Sequence, residues 1–453
     1  MGLRQTLFNG DGATVATPKK QFHVAVIGGG LGGLALAIGL VQRGISVQVY
    51  EGASGWTDAG AGLVFAKNSM AAMKKISPDI YEVFAKRSSG QGWESKKNLY
   101  MDYRNGLTNG ELVASVACAN TGQESVHRTL FAKDLVALLP DGTFHMGKKL
   151  THVENRADGR YLLKFADGMS VDTDVVVGAD GIKSRCRQIL LGENSAEAVP
   201  KYAKEFAYRG MVPMERAVAV LGDEFARNSM VNIGPGCLTT TYPVEKGTLL
   251  NLVACRTSEK WEHDEWVIPS TPQALKRDFV SCGPVMQKVI SMIDKPSIWA
   301  LFDHPECSTF CKGNFALIGD AAHASTPHQG AGCGQAFEDA LVMCGLLADE
   351  SVVLPEHVED AFAAYDSIRR PRTLKVVRTS RENGEICMMR GESTGEDMDK
   401  IKATLDERFH WIWHEDLDQQ VGSAIAKLHE RLRGPSTVQH STDFRSPVDR
   451  LQV

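Results

Sequence analysis

The chain has 453 residues, 43% hydrophobic and 23% charged, enough to build a large core divided among two or more domains. A formal net charge of −5 gives nucleic-acid binding no electrostatic support, and no apolar run is long enough to read as a membrane span. Ten scattered cysteines in a chain of this length do not make a disulfide framework, so reduced thiols and a cytoplasmic setting are expected. Cys307 and Cys311 form a C-x-x-x-C pair without a second pair of zinc-like spacing, and no metal site is expected.

Residues 1–20 are polar, lack the apolar segment of a signal peptide, and read as a flexible N-terminal tail. A β-branched run, His23–Ile27, then meets the glycine cluster Gly28–Gly33. An apolar helical pattern follows through Leu34, Leu36, Leu40 and Val41. Gly44 ends it, and a second strand, Val47–Tyr50, leads to Glu51. Gly28, Gly30 and Gly33 therefore fit G-x-G-x-x-G between a strand and a helix. In that setting Gly28 allows the tight turn, Gly30 lets backbone N–H groups approach a pyrophosphate, and Gly33 lets helix and strand pack closely. Glu51, 18 residues beyond Gly33, stands where a carboxylate accepts ribose hydroxyls. The alternative is a βαβ unit with incidental glycines.

Further on, Ala61–Phe65 reads as a strand and 68–85 has helical spacing. Residues 108–124 carry no clear pattern. Val126–Leu130 opens a helix that ends at Pro140-Asp141-Gly142. A β meander over 149–171 feeds a buried strand, Asp174–Val177, which runs into Gly178-Ala179-Asp180-Gly181. Residues 201–299 change character. Candidate strands 205–212, 229–233, 237–244 and 249–255 imply a separate, mainly antiparallel sheet with at least one helix. The chain returns to a buried strand at Asn314–Ile318, which enters Gly319-Asp320-Ala321-Ala322-His323. A second glycine loop, Gly330–Gly334, precedes a helix. From Glu356 to about Arg433 the pattern is helical and charged, and the tail from Gly434 is polar and loose.

Three glycine-rich turns thus follow three apolar strands. All three can converge on the carboxyl edge of one sheet, where α/β folds bind ligands. Their order and spacing resemble the flavoprotein aromatic hydroxylases, the class A monooxygenases typified by para-hydroxybenzoate and salicylate hydroxylases, over about residues 22–380. The segments Phe206–Gly210, Thr241–Val244, Trp299–Asp303 and Pro327–Gly332 resemble fungal salicylate-hydroxylase-like enzymes more closely.

The resemblance implies an α/β fold: a Rossmann-like, para-hydroxybenzoate-hydroxylase-like FAD-binding domain from 21–200 and 300–350. A β-rich substrate domain spans 201–299, and a helical C-terminal region spans 351–453. It implies FAD, with NADPH or NADH as co-substrate. Gly28, Gly30, Gly33, Glu51, Ala61, Gly62, Arg128, Asp180, Gly181, Asp320, Gly332 and Cys333 would contact the cofactor. Ala331, Gly332 and Cys333 would present N–H groups to the isoalloxazine. Arg209 and Tyr242 would act on the substrate, and His328 would line its pocket. By the same resemblance, a flavin C4a-hydroperoxide hydroxylates a phenolic substrate, either a salicylate-like acid or a phenolic polyketide, with O2 as co-substrate in a cytoplasmic monomer or homodimer.

Other readings stay open at this level. Arg209 also fits a surface or interdomain ion pair, and Tyr242 a half-buried strand residue. His323 reads as a structural hydrogen bonder. Glu338 and Asp339 read as structural acids favouring the dipole at the start of their helix. Trp411-Ile412-Trp413 reads as an aromatic core patch. The alternatives for the whole chain are a flavin-dependent reductase or epoxidase on the same fold, or a non-catalytic dinucleotide-binding module.

Overall fold

A computed structural model of the chain describes residues 19–56, 62–118 and 121–434. The first unit is β1 (His23–Ile27), α1 (Leu31–Gln42) and β2 (Ser46–Tyr50). Nine of the twelve residues of α1 are buried, as expected of a helix that is apolar on nearly every side. The helix α2 (Arg128–Val136) follows, then β3 (Val175–Gly178), which leads through the second glycine turn into α3 (Arg185–Leu191).

Next come β4 (Lys201–Pro213), β5 (Met230–Gly234), β6 (Cys237–Val244) and β7 (Leu249–Thr257). The strand β8 (Phe315–Leu317) precedes the third turn. The long helices α4 (Gly332–Ala348) and α5 (Val358–Cys387) close the core.

The strands β8, β3, β1 and β2 are adjacent in that order in a six-stranded sheet, and each neighbouring pair is parallel. Their carboxyl ends therefore share one edge, and the three glycine-rich turns meet there. The strands are almost wholly apolar (Val24–Ile27, Val175–Val177, Phe315–Leu317), and all of these residues are buried. That is the pattern of a parallel sheet covered on both faces.

Small residues bring α4 onto α1. A methyl group on Gly32 would stand 2.9 Å from the Ala336 Cβ, and one on Gly39 would stand 2.5 Å from the Cys344 sulfur. The close packing sets the N-termini of both helices beside the same sheet edge.

The second sheet has eight strands: Val267–Pro269, Ser297–Asp303, β4, β7, β6, β5, Leu99–Asn105 and Leu112–Ala117. It is antiparallel except where β5 runs parallel to Leu99–Asn105. Two of its strands thus come from 99–117, far from the 201–299 stretch in sequence. Leu112–Ala117 alternates in burial from Ala114 on, but its exposed positions include Leu112 and Ala117, so 108–124 shows no polar–apolar period in sequence.

Other elements also differ from expectation. The pattern over 68–85 is two helices, Lys67–Ile76 and Pro78–Arg87, separated at Ser77, whose hydroxyl accepts from the Asp79 N–H. A proline at the first helical position starts a new helix rather than extending an old one. The helix α3 and the short helices Met214–Leu221 and Asp223–Arg227 had no sequence signal strong enough to be read. Among the described residues, no helix is long and apolar enough to cross a membrane.

Candidate functional site

A cavity of about 700 Å³ lies between the carboxyl edge of the parallel sheet and one face of the eight-stranded sheet. Its walls include Gly28, Gly30, Gly33, Glu51, Gly62, Arg128, Asp180, Gly181, Arg209, Tyr242, Asp320, His328, Gly332 and Cys333. Ala61 lies outside the described residues. Every described residue expected to contact cofactor or substrate is thus drawn from remote parts of the chain to one space.

The glycines differ in what they do. Gly28 has φ +111°, and a Cβ there would lie 2.2 Å from the Ala179 carbonyl oxygen. A Cβ on Gly33 would lie 2.2 Å from the Gly28 oxygen. Both are packing requirements of the turn. Gly30 is different: its φ of −70° suits any residue, and a Cβ would meet no protein atom nearer than the Ala179 oxygen at 4.0 Å. A side chain at Gly30 would stand in the cavity itself. That is the position where a bound group approaching the α1 N-terminus needs bare backbone, and it fits a dinucleotide cofactor.

Glu51 accepts from the Gly29 N–H at 2.7 Å and from the Ala53 N–H at 2.8 Å. Those bonds hold its carboxylate at the end of β2, with lone pairs left for hydroxyl donors. Asp180 has a more structural place than the motif implies. Its carboxylate accepts from the Ser184 hydroxyl and from the N–H groups of Arg185 and Cys186, and so caps α3. Burial pushes its carboxyl upward, and these hydrogen bonds oppose that. Asp320, the first residue of a short helix after Gly319, is exposed to the cavity.

At the far end, α4 begins. Its first turn leaves the N–H groups of Gly332, Cys333 and Gly334 without intrahelical acceptors, and the positive end of its dipole faces the cavity. The loop before it is pinned by the Tyr100 hydroxyl, which donates to the Gln329 carbonyl at 2.9 Å. Gly330 is left-handed there (φ +56°), and a Cβ would lie 2.4 Å from the Tyr100 oxygen. Cys333 is half-buried. Burial, with Asp320 adding to it, pushes its thiol up to about 12, so it is a neutral wall residue.

Arg209, Tyr242 and Thr240 project from the same face of the second sheet. Arg209 and Thr240 both pair with Val253 of the intervening β7. Tyr242 is two residues along β6 from Thr240, on the same face. The backbones of β4 and β6 are thus about 10 Å apart, two strand spacings.

The Arg209 guanidinium lies 4.7 Å over the Trp299 ring, and its buried Nε has no acceptor. No carboxylate among the described residues pairs with it, and burial holds its pKa below the usual guanidinium value. An interdomain ion pair is therefore not its role here. Tyr242 is buried and donates to the Gly62 carbonyl at 2.8 Å. Burial pushes its phenol well up, so it stays protonated. With its proton committed to Gly62, its remaining lone pair can accept from a ligand hydroxyl.

The His328 side chain is buried, with Nε2 2.6 Å from Glu205 Oε2. Glu205 lies four residues before Arg209 on the same face of β4, and strand alternation alone would have found it. Lys148 and Lys149, beside the end of β2, and Lys183, just after the second glycine turn, also line the cavity. No periodic or motif signal marks them.

Behind the site lies a buried polar network. Asp339 Oδ2 accepts from the Gly319 N–H at 2.9 Å and pairs with His323 Nε2 at 2.6 Å, and its Oδ1 accepts from Arg369 Nε at 2.8 Å. Glu338 pairs with Arg369 and Arg372 at 2.6 and 2.7 Å. The helix-dipole reading of Glu338 and Asp339 is thus corrected: they lie two turns into α4, held by arginines of α5. His323 is a structural hydrogen bonder. Trp413 packs between Phe409 and Tyr100, with ring centroids 5.0 and 4.9 Å away, as a core aromatic.

Comparison with known proteins agrees with this geometry. The family described as "FAD binding domain" matches residues 21–380. The chain is 36% identical over 440 residues to 6-methylsalicylate 1-monooxygenase of Aspergillus terreus, covering 95% of this chain and 98% of that protein. It is 34% identical over 424 residues to salicylate hydroxylase of Pseudomonas putida, covering 90% and 96%. A solved salicylate hydroxylase substrate complex superposes with a TM-score of 0.80 at 32% identity, over 90% of this chain and 98% of that one. The nucleotide-type glycine edge, the helix N-terminus facing the cavity and these likenesses place the chain in one family: it is an FAD-dependent aromatic monooxygenase of the salicylate-hydroxylase type.

Proposed function

We propose that this enzyme hydroxylates a small phenolic acid whose anionic oxygens are held by Arg209 and whose ring hydroxyl is oriented by Tyr242. The observation that carries this is Arg209 itself. A buried guanidinium without a carboxylate partner is costly to keep, and a ligand anion relieves that cost. The relatives named for salicylate and 6-methylsalicylate support an aromatic acid of that size.

FAD, when bound, supplies the activation of O2 with electrons from NAD(P)H. The chain's own residues do the rest. Gly30 leaves room at the α1 N-terminus, Glu51 would hold ribose hydroxyls, and the first-turn N–H groups of α4 would stabilise negative charge on the cofactor. Arg209 is a planar, permanently charged fork, suited to clamp a carboxylate or phenolate. Tyr242 accepts the substrate's hydroxyl hydrogen bond, because its own proton goes to Gly62. His328, on the cavity wall, and Glu205 behind it form a buried pair able to receive a proton as the phenol ionises. We also place the protein in the cytoplasm.

The test is a titration of FAD-loaded protein with 2-hydroxybenzoate and with phenol, followed by flavin absorbance. The reading requires the acid to bind more tightly and Arg209→Gln to weaken it roughly 10- to 150-fold, the worth of one charge-assisted hydrogen bond. Equal affinity of the variant and the parent for the acid contradicts it.

A further inference from the structure

Cys237 and Cys282 are 45 positions apart in sequence, and their sulfurs lie 2.9 Å from each other. We propose that they form a reversible disulfide when the protein meets a hydroperoxide, a modification site separate from the cavity.

Cys237 opens β6 directly after the tight turn Gly234-Pro235-Gly236. It alternates with Leu238, Thr240 and Tyr242, which line the cavity, so it points to the opposite face of the sheet. There it packs in the apolar layer formed by the helices Pro272–Asp278 and Pro284–Ile290. Cys282 sits in the short link between those two helices. It is 8% exposed, and Val280, two residues before it, is 76% exposed. The link is fixed by Gly283, whose N–H donates to the Gly106 carbonyl at 2.9 Å, and by the Gln287 side chain, which donates to the Phe279 carbonyl. The sulfurs are therefore held together by packing on both sides. They need approach by only about 0.9 Å to reach the ~2.05 Å of a disulfide.

The surroundings favour oxidation at one of the two. Arg256 pairs with Cys237 in the β6–β7 register, and its buried Nη1 has no acceptor. An unpartnered guanidinium N–H beside two thiols stabilises a thiolate. The Cys282 thiol is held below the ordinary thiol range, first by its hydrogen bond with Cys237 and then by Arg256, while burial opposes both. Elsewhere burial has the upper hand: the thiols of Cys344 and Cys387 are pushed up to about 11 and about 12. A sulfur near the surface, beside an unpartnered guanidinium and with a second sulfur in reach, is the arrangement of a peroxide-responsive pair.

The chemistry balances in two steps. The Cys282 thiolate attacks one oxygen of hydrogen peroxide and the O–O bond breaks. The departing hydroxide takes a proton and leaves as water, with Cys282 as the sulfenic acid. The Cys237 sulfur then attacks the Cys282 sulfur. The S–O bond breaks, and the departing hydroxide leaves as a second water with the Cys237 proton. Two thiols have lost two hydrogens, and peroxide has gained them.

The experiment treats FAD-loaded, reduced protein with hydrogen peroxide, caps free thiols with a maleimide, and digests it without reductant for mass spectrometry. The proposal predicts a Cys237–Cys282 linked peptide about 2 Da lighter than the two reduced peptides together. Dithiothreitol should reverse it. Cys237→Ser should leave Cys282 trappable as a sulfenic acid by dimedone, and Cys282→Ser should abolish oxidation at both positions. Because the pair faces away from the cavity, Cys237→Ser should retain substrate turnover, which shows that the variant folds. A different linked pair appearing first, or full maleimide capping of both cysteines after peroxide treatment, overturns the proposal.

Discussion

Replacing Asp339 by asparagine tests how the third glycine turn is held. The aspartate carboxylate serves three donors at once: the Gly319 N–H, His323 Nε2 and Arg369 Nε. It is fully buried, as are Arg369 and Glu338. Asparagine keeps one oxygen, loses the charge and turns an NH2 toward a donor. Removing one partner of a buried ion pair costs about 3–5 kcal/mol. At ~2.1 cal/mol/K per residue, ~400 residues give an unfolding entropy near 0.85 kcal/mol/K, so the thermal midpoint should fall by roughly 3–6 °C at pH 7.

The pH dependence has a definite sign. Burial acts to raise the Asp339 carboxyl, but His323 and Arg369 outweigh it and hold the group at about 2, against 3.8 in its ordinary state. A depressed carboxyl stabilises the fold above its unfolded value, and that contribution is lost as pH falls through the folded one. The deficit of the variant should thus be complete above about pH 4 and narrow toward pH 2. Differential scanning fluorimetry across that range measures it. A midpoint within 1 °C of the parent at pH 7, or a deficit that grows as pH falls, refutes the reasoning.

The glycines separate binding from folding. Gly30→Ala adds a methyl group only to the cavity, so FAD affinity should drop at least tenfold with the melting midpoint of the FAD-free protein unchanged. Gly33→Ala drives a methyl group to 2.2 Å from the Gly28 oxygen and should lower the yield of folded protein. Tyr242→Phe removes the bond to Gly62 and the acceptor offered to a phenol. Its turnover should fall by ten- to a hundredfold, about 1–3 kcal/mol, while flavin absorbance shows FAD retained. His328→Gln leaves Glu205 buried beside an uncharged amide, and the pH–rate profile should lose or shift a limb relative to the parent. An unchanged profile would take His328 and Glu205 out of the proton path.

Much of the site was legible because it is built from local signals. The three turns announce themselves as glycines following apolar strands, and parallel pairing of β8, β3, β1 and β2 brings them to one edge. Arg209 and Tyr242 became visible only through resemblance, since one arginine on a strand carries no period. Their meaning comes from register across β7, a long-range fact. That 99–105 belongs to the second sheet was not legible for the same reason: it joins that sheet through a partner more than a hundred residues away, and 112–117 is carried in by pairing with it. The motif reading of Asp180 missed its local use as a cap for α3, a helix too short for its apolar spacing to show. Glu338 and Asp339 looked like helix-dipole acids because the arginines that hold them lie thirty residues on, in α5.

The most direct measurement is NAD(P)H oxidation and O2 uptake by FAD-loaded protein with a panel of phenolic acids and matched phenols, with products weighed by mass spectrometry, for the parent and for Arg209→Gln. The account predicts that a phenolic acid stimulates turnover in the parent and gains one oxygen atom, with or without loss of CO2. It predicts that the variant keeps its FAD but loses most of that stimulation. Equal turnover of acid and matched phenol in the parent, or a variant as active as the parent, would contradict an anion-holding role for Arg209.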